Sequence, residues 1–252
     1  MVHWPFPRIL AHRGAGTLAP ENTLAAMRCG LQRGFCAVEF DVMLAHDGVP
    51  VVIHDTCLGR TVAGNADIAT LSAAQLTAMD AGSWFGDAYR GELVPTFEQV
   101  VSFCRANGIW MNIEIKPTPG TEQDTGRIVA TLAQQWSSPN DALLPLLSSF
   151  SFEAMVAAQA AAPHLPRGLL VDQLPSDWRQ QLDRLGAFAL HANQKHVSRS
   201  MVEAVKAAGF AVFCYTVNDR SRAAQLFEWG VDAFCTDRLD VIDARFADTY
   251  FS

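Results

Sequence analysis

The chain has no Cys-x-x-Cys pair among its six cysteines, no basic run and no stretch near the roughly 20 apolar residues a membrane span needs. Cys29, Cys36, Cys57, Cys104, Cys214 and Cys235 mostly sit in apolar surroundings, so they are read as small buried hydrophobes rather than disulfides. A reducing cytoplasm is the natural compartment for such a chain. The opening Met1-Val2-His3-Trp4-Pro5-Phe6-Pro7-Arg8 shows neither a basic leader nor a long apolar core, so no signal peptide is expected. Lysine and arginine total 19 against 26 acidic residues, a net charge of −7. That balance argues against nucleic acid or an anionic membrane as a partner. The cations that matter are therefore few and local.

About half of the 252 residues are hydrophobic, enough for one large α/β domain or two small ones. Short β-rich runs alternate with helical patterns. Strands are expected at Arg8–Ala11, Ala37–Leu44, Trp110–Ile115, Leu144–Leu147, Gly168–Val171, Ala187–Leu190, Ala211–Thr216 and Ala233–Cys235. Helices are expected at Thr23–Arg33 with Asn22 as N-cap, at Met201–Ala208 before Gly209, at Asp219–Trp229 before Gly230, and at Leu239–Phe246. Eight strand-then-helix units in a chain of this length point to a TIM (β/α)8 barrel, with a doubly wound sheet as the alternative. The polar residues clustered at strand C-termini favour the barrel. The beat breaks once, after the second strand. There a short strand, Val49–Ile53, leads into a loop-rich insertion at about residues 55–95 carrying Gly59, Gly64, Gly82, Gly86 and Gly91. A connection that long is usually functional. No other boundary is apparent, so residues 1–252 are expected to form a single barrel domain.

Glu39 and Asp41 are two apart in Val38-Glu39-Phe40-Asp41-Val42. On a strand that spacing places both carboxylates on one face and the apolar residues on the other. The apolar face must meet the helix layer, so the acids point into the barrel near its C-terminal end. Asn112-Ile113-Glu114-Ile115-Lys116 repeats the pattern. Three inward carboxylates repel one another unless a cation lies between them, and their hard oxygens suit Mg²⁺ or Ca²⁺ better than Zn²⁺. The competing reading, ion pairs of Glu114 with Lys116 or Arg13, leaves more acid than the pairs use.

His12 and His54 each follow an apolar run, Ile9-Leu10-Ala11 and Val51-Val52-Ile53. Two imidazoles at strand ends beside a metal set can serve as an acid–base pair. Arg13 offers a fork of donors for a phosphate oxygen, and Gly14 and Gly16 allow backbone to approach a ligand closely. Asp55, on the opposite face from His54, is read as capping or orienting a loop. Tyr215 and Asn218 either line the pocket or begin a helix. His46, His164 and His196 are read as structural, and His191, at a strand end, as a candidate for the mouth.

Taken in order, His12-Arg13-Gly14, Ala19-Pro20-Glu21-Asn22-Thr23, Glu39-Phe40-Asp41, His54-Asp55, Asn112 to Pro117 and Tyr215-Thr216-Val217-Asn218 resemble the motifs of the glycerophosphodiester phosphodiesterase family. Asp80-Ala81-Gly82-Ser83-Trp84 and Cys235-Thr236-Asp237 fit as well, and the likeness is closest to the short, signal-less bacterial cytosolic members. The resemblance implies a TIM barrel with an insertion after its second strand. It implies one divalent cation, Mg²⁺ or Ca²⁺, at Glu39, Asp41 and Glu114. His12 and His54 are then the catalytic pair, with His12 as base and His54 as acid, and Arg13, Lys116 and Tyr215 contact substrate. Many members carry Trp where this chain has Tyr215. The implied reaction is hydrolysis of sn-glycerol-3-phosphodiesters, such as glycerophosphocholine or glycerophosphoethanolamine, to sn-glycerol 3-phosphate and an alcohol. A lyase-type phospholipase that releases a cyclic phosphate and a non-catalytic phosphodiester-binding barrel are the alternatives. Small-molecule glycerophosphodiesters are the expected partners, without nucleic acid or stable membrane association, and a homo-oligomer is left open.

Overall fold

The computed structural model describes residues 3–137 and 144–251. Met1 and Val2, part of the segment read as lacking a leader, lie outside them. Nine strands are described: β1 (Ile9–His12), β2 (Ala37–Leu44), β3 (Pro50–Val52), β4 (Trp110–Ile115), β5 (Leu146–Ser149), β6 (Arg167–Val171), β7 (Ala189–Asn193), β8 (Ala211–Tyr215) and β9 (Ala233–Thr236). All except β3 run parallel. They pair in the ring β1-β2-β4-β5-β6-β7-β8-β9, which closes through β9 onto β1. Around them lie α1 (Leu24–Gln32), α2 (Ala73–Leu76), α3 (Phe97–Ala106), α4 (Glu122–Gln135), α5 (Phe152–Ala161), α6 (Trp178–Leu185), α7 (Arg199–Ala207) and α8 (Arg220–Glu228). This is the TIM barrel. Among the described residues no helix is long and apolar enough to cross a membrane.

Strand parity divides the core as the alternation requires. Ile9, Ala11, Val38, Phe40, Val42, Ile113 and Ile115 face outward into the layer shared with the helices. Leu10, Ala37, Trp110, Leu146, Ala189, Ala211, Phe213 and Ala233 fill the interior, where Trp4 and Phe6 join them. The ring of Phe6 stacks on Trp110 with centroids 4.4 Å apart, and Trp4 meets Phe188 and Phe213. This aromatic plug uses up the apolar side chains at the barrel's N-terminal end. The polar ones are left at the other end.

The second strand continues into a hairpin. β3 runs antiparallel to the end of β2, pairing Met43 with Val51. The segment beyond it has a core of its own, with Met43, Val51, Ile53, Val62, Ile68, Leu76 and Val94 in contact. Ser72 and Thr96 close capping boxes with Gln75 and Gln99, which start α2 and α3 at defined points.

Several expectations change. β1 extends to His12 rather than stopping at Ala11. α1 is capped by Thr23, whose hydroxyl accepts from the Ala26 amide, and not by Asn22. Residues 239–245 form turns instead of a closing helix, followed by a 3-10 turn at Phe246–Thr249. Cys36 and Cys57 are exposed, whereas Cys104, Cys214 and Cys235 are buried. His191 sits inside the barrel and not at its mouth. It is fully buried and stacked on Phe213, and burial pushes its pKa down to about 3.

Candidate active site

Register brings the acids together. In the β2–β4 ladder Asp41 stands beside Glu114, and in the β1–β2 ladder His12 stands beside Glu39. Ligand oxygens of Glu39, Asp41 and Glu114 all lie within 4.8 Å of one another. No other group of this kind occurs among the described residues. Burial, followed by the charges of Asp41 and Glu114, pushes Glu39 well above the carboxylate range. Burial and then Asp41 do the same to Glu114. Asp41 goes the other way: burial opposes its charge, but Arg13, Lys116 and His54 hold its pKa down. Such crowding of hard anionic oxygens, only partly neutralised by nearby side chains, fits a divalent cation.

Two cations border the acids. Arg13 Nε lies 3.4 Å and Lys116 Nζ 3.6 Å from opposite oxygens of Asp41. Arg13 adopts φ +50°, a left-handed conformation unusual for a side chain of this size, and Gly14 follows at φ +98°. The two glycines of this turn approach protein backbone and side chains rather than a ligand. A Cβ on Gly14 would meet Ala26 at 2.7 Å, and one on Gly16 would meet the Asp237 backbone at 2.2 Å. The tight turn therefore packs β1's end against α1 and delivers Asp237 to His12.

Both histidines are held from behind. His12 Nδ1 is 2.5 Å from Asp237 Oδ1, and His54 Nδ1 is 2.7 Å from Asp55 Oδ1. Despite the opposing effect of burial, His12 and Asn218 keep Asp237 ionised, and Arg60 and His54 take Asp55 to about 2. An ionised carboxylate only accepts, so each Nδ1 carries the hydrogen and each Nε2 is left as the free nitrogen. Nε2 of His12 lies 3.7 Å from Glu39. Burial, with Arg13 and Lys116, lowers the pKa of His54. A cavity of about 190 Å³ is lined by His12, Arg13, Glu39, His54, Glu114 and Lys116 together with Phe150 and Tyr215. The Tyr215 ring meets Phe150 edge-on, while its hydroxyl donates to the Val171 carbonyl. A larger apolar groove of about 390 Å³ lies outside the barrel against β3, α3 and α4, and holds none of these groups.

Residues 12–241 match the glycerophosphoryl diester phosphodiesterase family. The chain belongs to that family. A phosphodiesterase from Oleispira antarctica, solved in complex with the product sn-glycerol-3-phosphate, superposes with a TM-score of 0.89 at 37% identity, covering 98% of this chain and 97% of the other. A putative glycerophosphodiester phosphodiesterase of Bacillus subtilis is 34% identical over 93% of this chain and 96% of its own length. The glycerophosphodiester phosphodiesterase of Caldanaerobacter subterraneus is 31% identical, over 91% and 93%. The protein is thus a glycerophosphodiester phosphodiesterase, a phosphoric diester hydrolase.

In this phosphodiesterase all eight residues singled out by sequence, His12, Arg13, Glu39, Asp41, His54, Glu114, Lys116 and Tyr215, border one cavity or its acidic floor. Their supports were not foreseen. Asn22 bonds Asp41, Glu21 holds Arg13 at 2.7 Å, and Asn218 holds Asp237 at 2.8 Å. Asp55 turns to the ring of His54 as well as to its loop, because both residues follow the end of β3, where strand parity no longer applies. Their one sequence signal was a place within the matched motifs.

Proposed function

We propose that this phosphodiesterase hydrolyses sn-glycerol-3-phosphodiesters in a metal-dependent reaction, with His12 and His54 exchanging the protons. The supporting observation is the arrangement of three converging carboxylates beside two cations and two imidazoles that each present a free Nε2. Glu39, Asp41 and Glu114 hold one Mg²⁺ or Ca²⁺. When bound, that cation neutralises the carboxylates and offsets negative charge on the phosphoryl group.

Arg13 and Lys116 hold phosphoryl oxygens, since both stand at the rim of the acidic cluster and line the cavity. His12 accepts a proton at Nε2 from the nucleophile, and Asp237 stabilises the imidazolium that forms. His54 donates from Nε2 to the leaving alkoxide. The phosphodiester anion beside it counters the burial and the two cations that depress its pKa. Tyr215 and Phe150, whose rings meet edge-on in the cavity lining, offer an apolar surface that suits the glycerol or alcohol carbon skeleton. The chain acts as one barrel unit, with Arg60 of the insertion bonded to Glu21 beyond β1, in a reducing compartment that leaves its cysteines as thiols.

The test is a coupled assay for glycerol 3-phosphate release from glycerophosphocholine and glycerophosphoethanolamine, with EDTA and with Mg²⁺ or Ca²⁺ restored. Turnover that EDTA leaves intact would remove the metal from the proposal.

A further inference from the structure

One half-exposed guanidinium in the insertion reaches behind both sides of the catalytic cavity. Arg60 Nε donates to Asp55 Oδ2 at 2.7 Å, while Nη1 and Nη2 donate to the two oxygens of Glu21 at 2.6 and 2.8 Å. The remaining oxygen of Asp55 accepts from His54 Nδ1, and Glu21 Oε1 is shared with Arg13 Nη1 at 2.7 Å. A single planar fork therefore joins the carboxylate that orients a histidine to the carboxylate that orients the phosphate-facing arginine. Bidentate geometry of this kind fixes direction as well as charge.

The loop is built to present it. Gly59, at φ +134°, donates its N–H to the Val62 carbonyl at 2.8 Å, and Leu58 N–H bonds Ala66 at 2.9 Å. Val62 is buried in the insertion's own core with Met43, Ile53 and Ile68. The turn is thus anchored two residues beyond Arg60, so the guanidinium is held toward the barrel instead of sampling solvent.

We propose that Arg60 is a positioning residue of this active site, fixing His54 through Asp55 and Arg13 through Glu21 so that acid–base group and phosphate clamp are set together. The proposal rests on the roles given above to His54 and Arg13. Without Arg60, Asp55 is free to rotate about its one remaining bond, and His54 loses the constraint that keeps hydrogen on Nδ1. Glu21 then holds Arg13 from one side only.

The experiment compares wild type, Arg60→Ala, Arg60→Lys, the Glu21→Gln/Asp55→Asn pair, and that pair combined with Arg60→Ala. Three readouts are kcat and KM with glycerophosphocholine, the melting temperature, and the imidazole nitrogen NMR signals of His54, assigned by their loss in His54→Ala. Arg60→Ala is expected to lower kcat about 10–100-fold. In the Glu21→Gln/Asp55→Asn background the same substitution is expected to cost less than about threefold, because Arg60 acts through those two carboxylates. The His54 signals should move from one tautomer in wild type to a mixture in Arg60→Ala. Arg60→Lys keeps the charge without the fork, and should also show the mixture. Should Arg60→Ala not fold, Arg60→Lys carries the comparison. An equal loss in both backgrounds, or unchanged His54 signals, overturns the proposal. The NMR readout needs no turnover, so a failure to hydrolyse glycerophosphocholine would count against the proposed reaction and leave this test standing.

Discussion

Asn22 and Asp41 grip each other twice: Asn22 Nδ2 donates to Asp41 Oδ2 at 2.8 Å, and the Asp41 amide donates to Asn22 Oδ1 at 3.2 Å. Both side chains are buried, and Asn22 adopts φ +59° to reach this position, a conformation asparagine tolerates better than most residues. The pair aims one oxygen of a carboxylate in the acidic cluster. Asn22→Ala is expected to weaken Mg²⁺ or Ca²⁺ binding by about 10–100-fold and to lower stability by about 1–3 kcal/mol. Isothermal titration of the metal and thermal unfolding check the two effects separately.

The crowded acids make a prediction about stability. Glu39 and Glu114 are raised by burial first and then by neighbouring carboxylates, so the cluster is strained when nothing neutralises it. Adding Mg²⁺ or Ca²⁺ to EDTA-treated protein should raise the melting temperature, by about 2.7 kcal/mol of stability at a hundredfold excess over Kd. Glu39→Gln should raise the melting temperature of the EDTA-treated protein and abolish most of the gain on adding metal. Calorimetric scans of the two proteins with and without metal decide this. A wild-type midpoint indifferent to both cations would count against the site.

The two histidines are expected to separate by leaving group. His12→Ala and His54→Ala should each lose on the order of 10²–10⁴-fold with glycerophosphocholine. With a p-nitrophenyl phosphodiester, whose phenolate leaves without a proton, His54→Ala should recover most of its activity and His12→Ala should not. The reverse pattern would exchange the roles of acid and base.

Asp237 gives a fourth test. Asp237→Asn places an amide where an ionised carboxylate accepts from His12 Nδ1. The amide can donate to that nitrogen and favour the tautomer with hydrogen on Nε2, the atom meant to accept. A loss on the order of 10²–10⁴-fold in kcat is expected with unchanged thermal stability. Near-wild-type turnover would mean that the tautomer of His12 is unimportant.

His191 predicts an acid sensitivity unrelated to catalysis. Neither ring nitrogen has a hydrogen-bond partner among the described residues, and burial depresses its pKa to about 3. The folded protein keeps this imidazole neutral, while the unfolded chain takes up a proton near the ordinary value of about 6.5. Its contribution is therefore complete above that pH and is lost as pH falls toward 3. Between pH 7 and 4 the loss is about 3 kcal/mol. His191→Leu should show a correspondingly smaller drop in stability across that range when unfolded with urea at each pH. Parallel curves for the two proteins would refute the assignment.

Much of this site was legible because a strand's two-residue period is visible in Glu39/Asp41 and in Asn112/Glu114, and because the apolar residues between them had to face helices. The same reasoning misplaced residues where the local period ends. Asn22 stands just before a helix and reads as a cap, yet Thr23 takes that place and frees Asn22 for Asp41. Asp55 reads as facing away from His54 only if the strand continues, and β3 stops at Val52. The closing helix expected at Leu239–Phe246 is turns instead, because apolar spacing alone does not distinguish a helix from residues packed singly against a core.

By itself, the sequence determined the barrel, the inward faces of its strands and the candidate polar groups at their ends, since alternation and short-range spacing are properties of the chain. Only the tertiary structure decided which groups support them. His12 and Asp237 are 225 positions apart, and Arg60 meets Glu21 across 39. They meet because ring closure sets β1 between β2 and β9 and a separately packed loop brings Arg60 to Glu21. Contacts at such separation depend on the register and packing of whole elements, and no local pattern in the sequence records them.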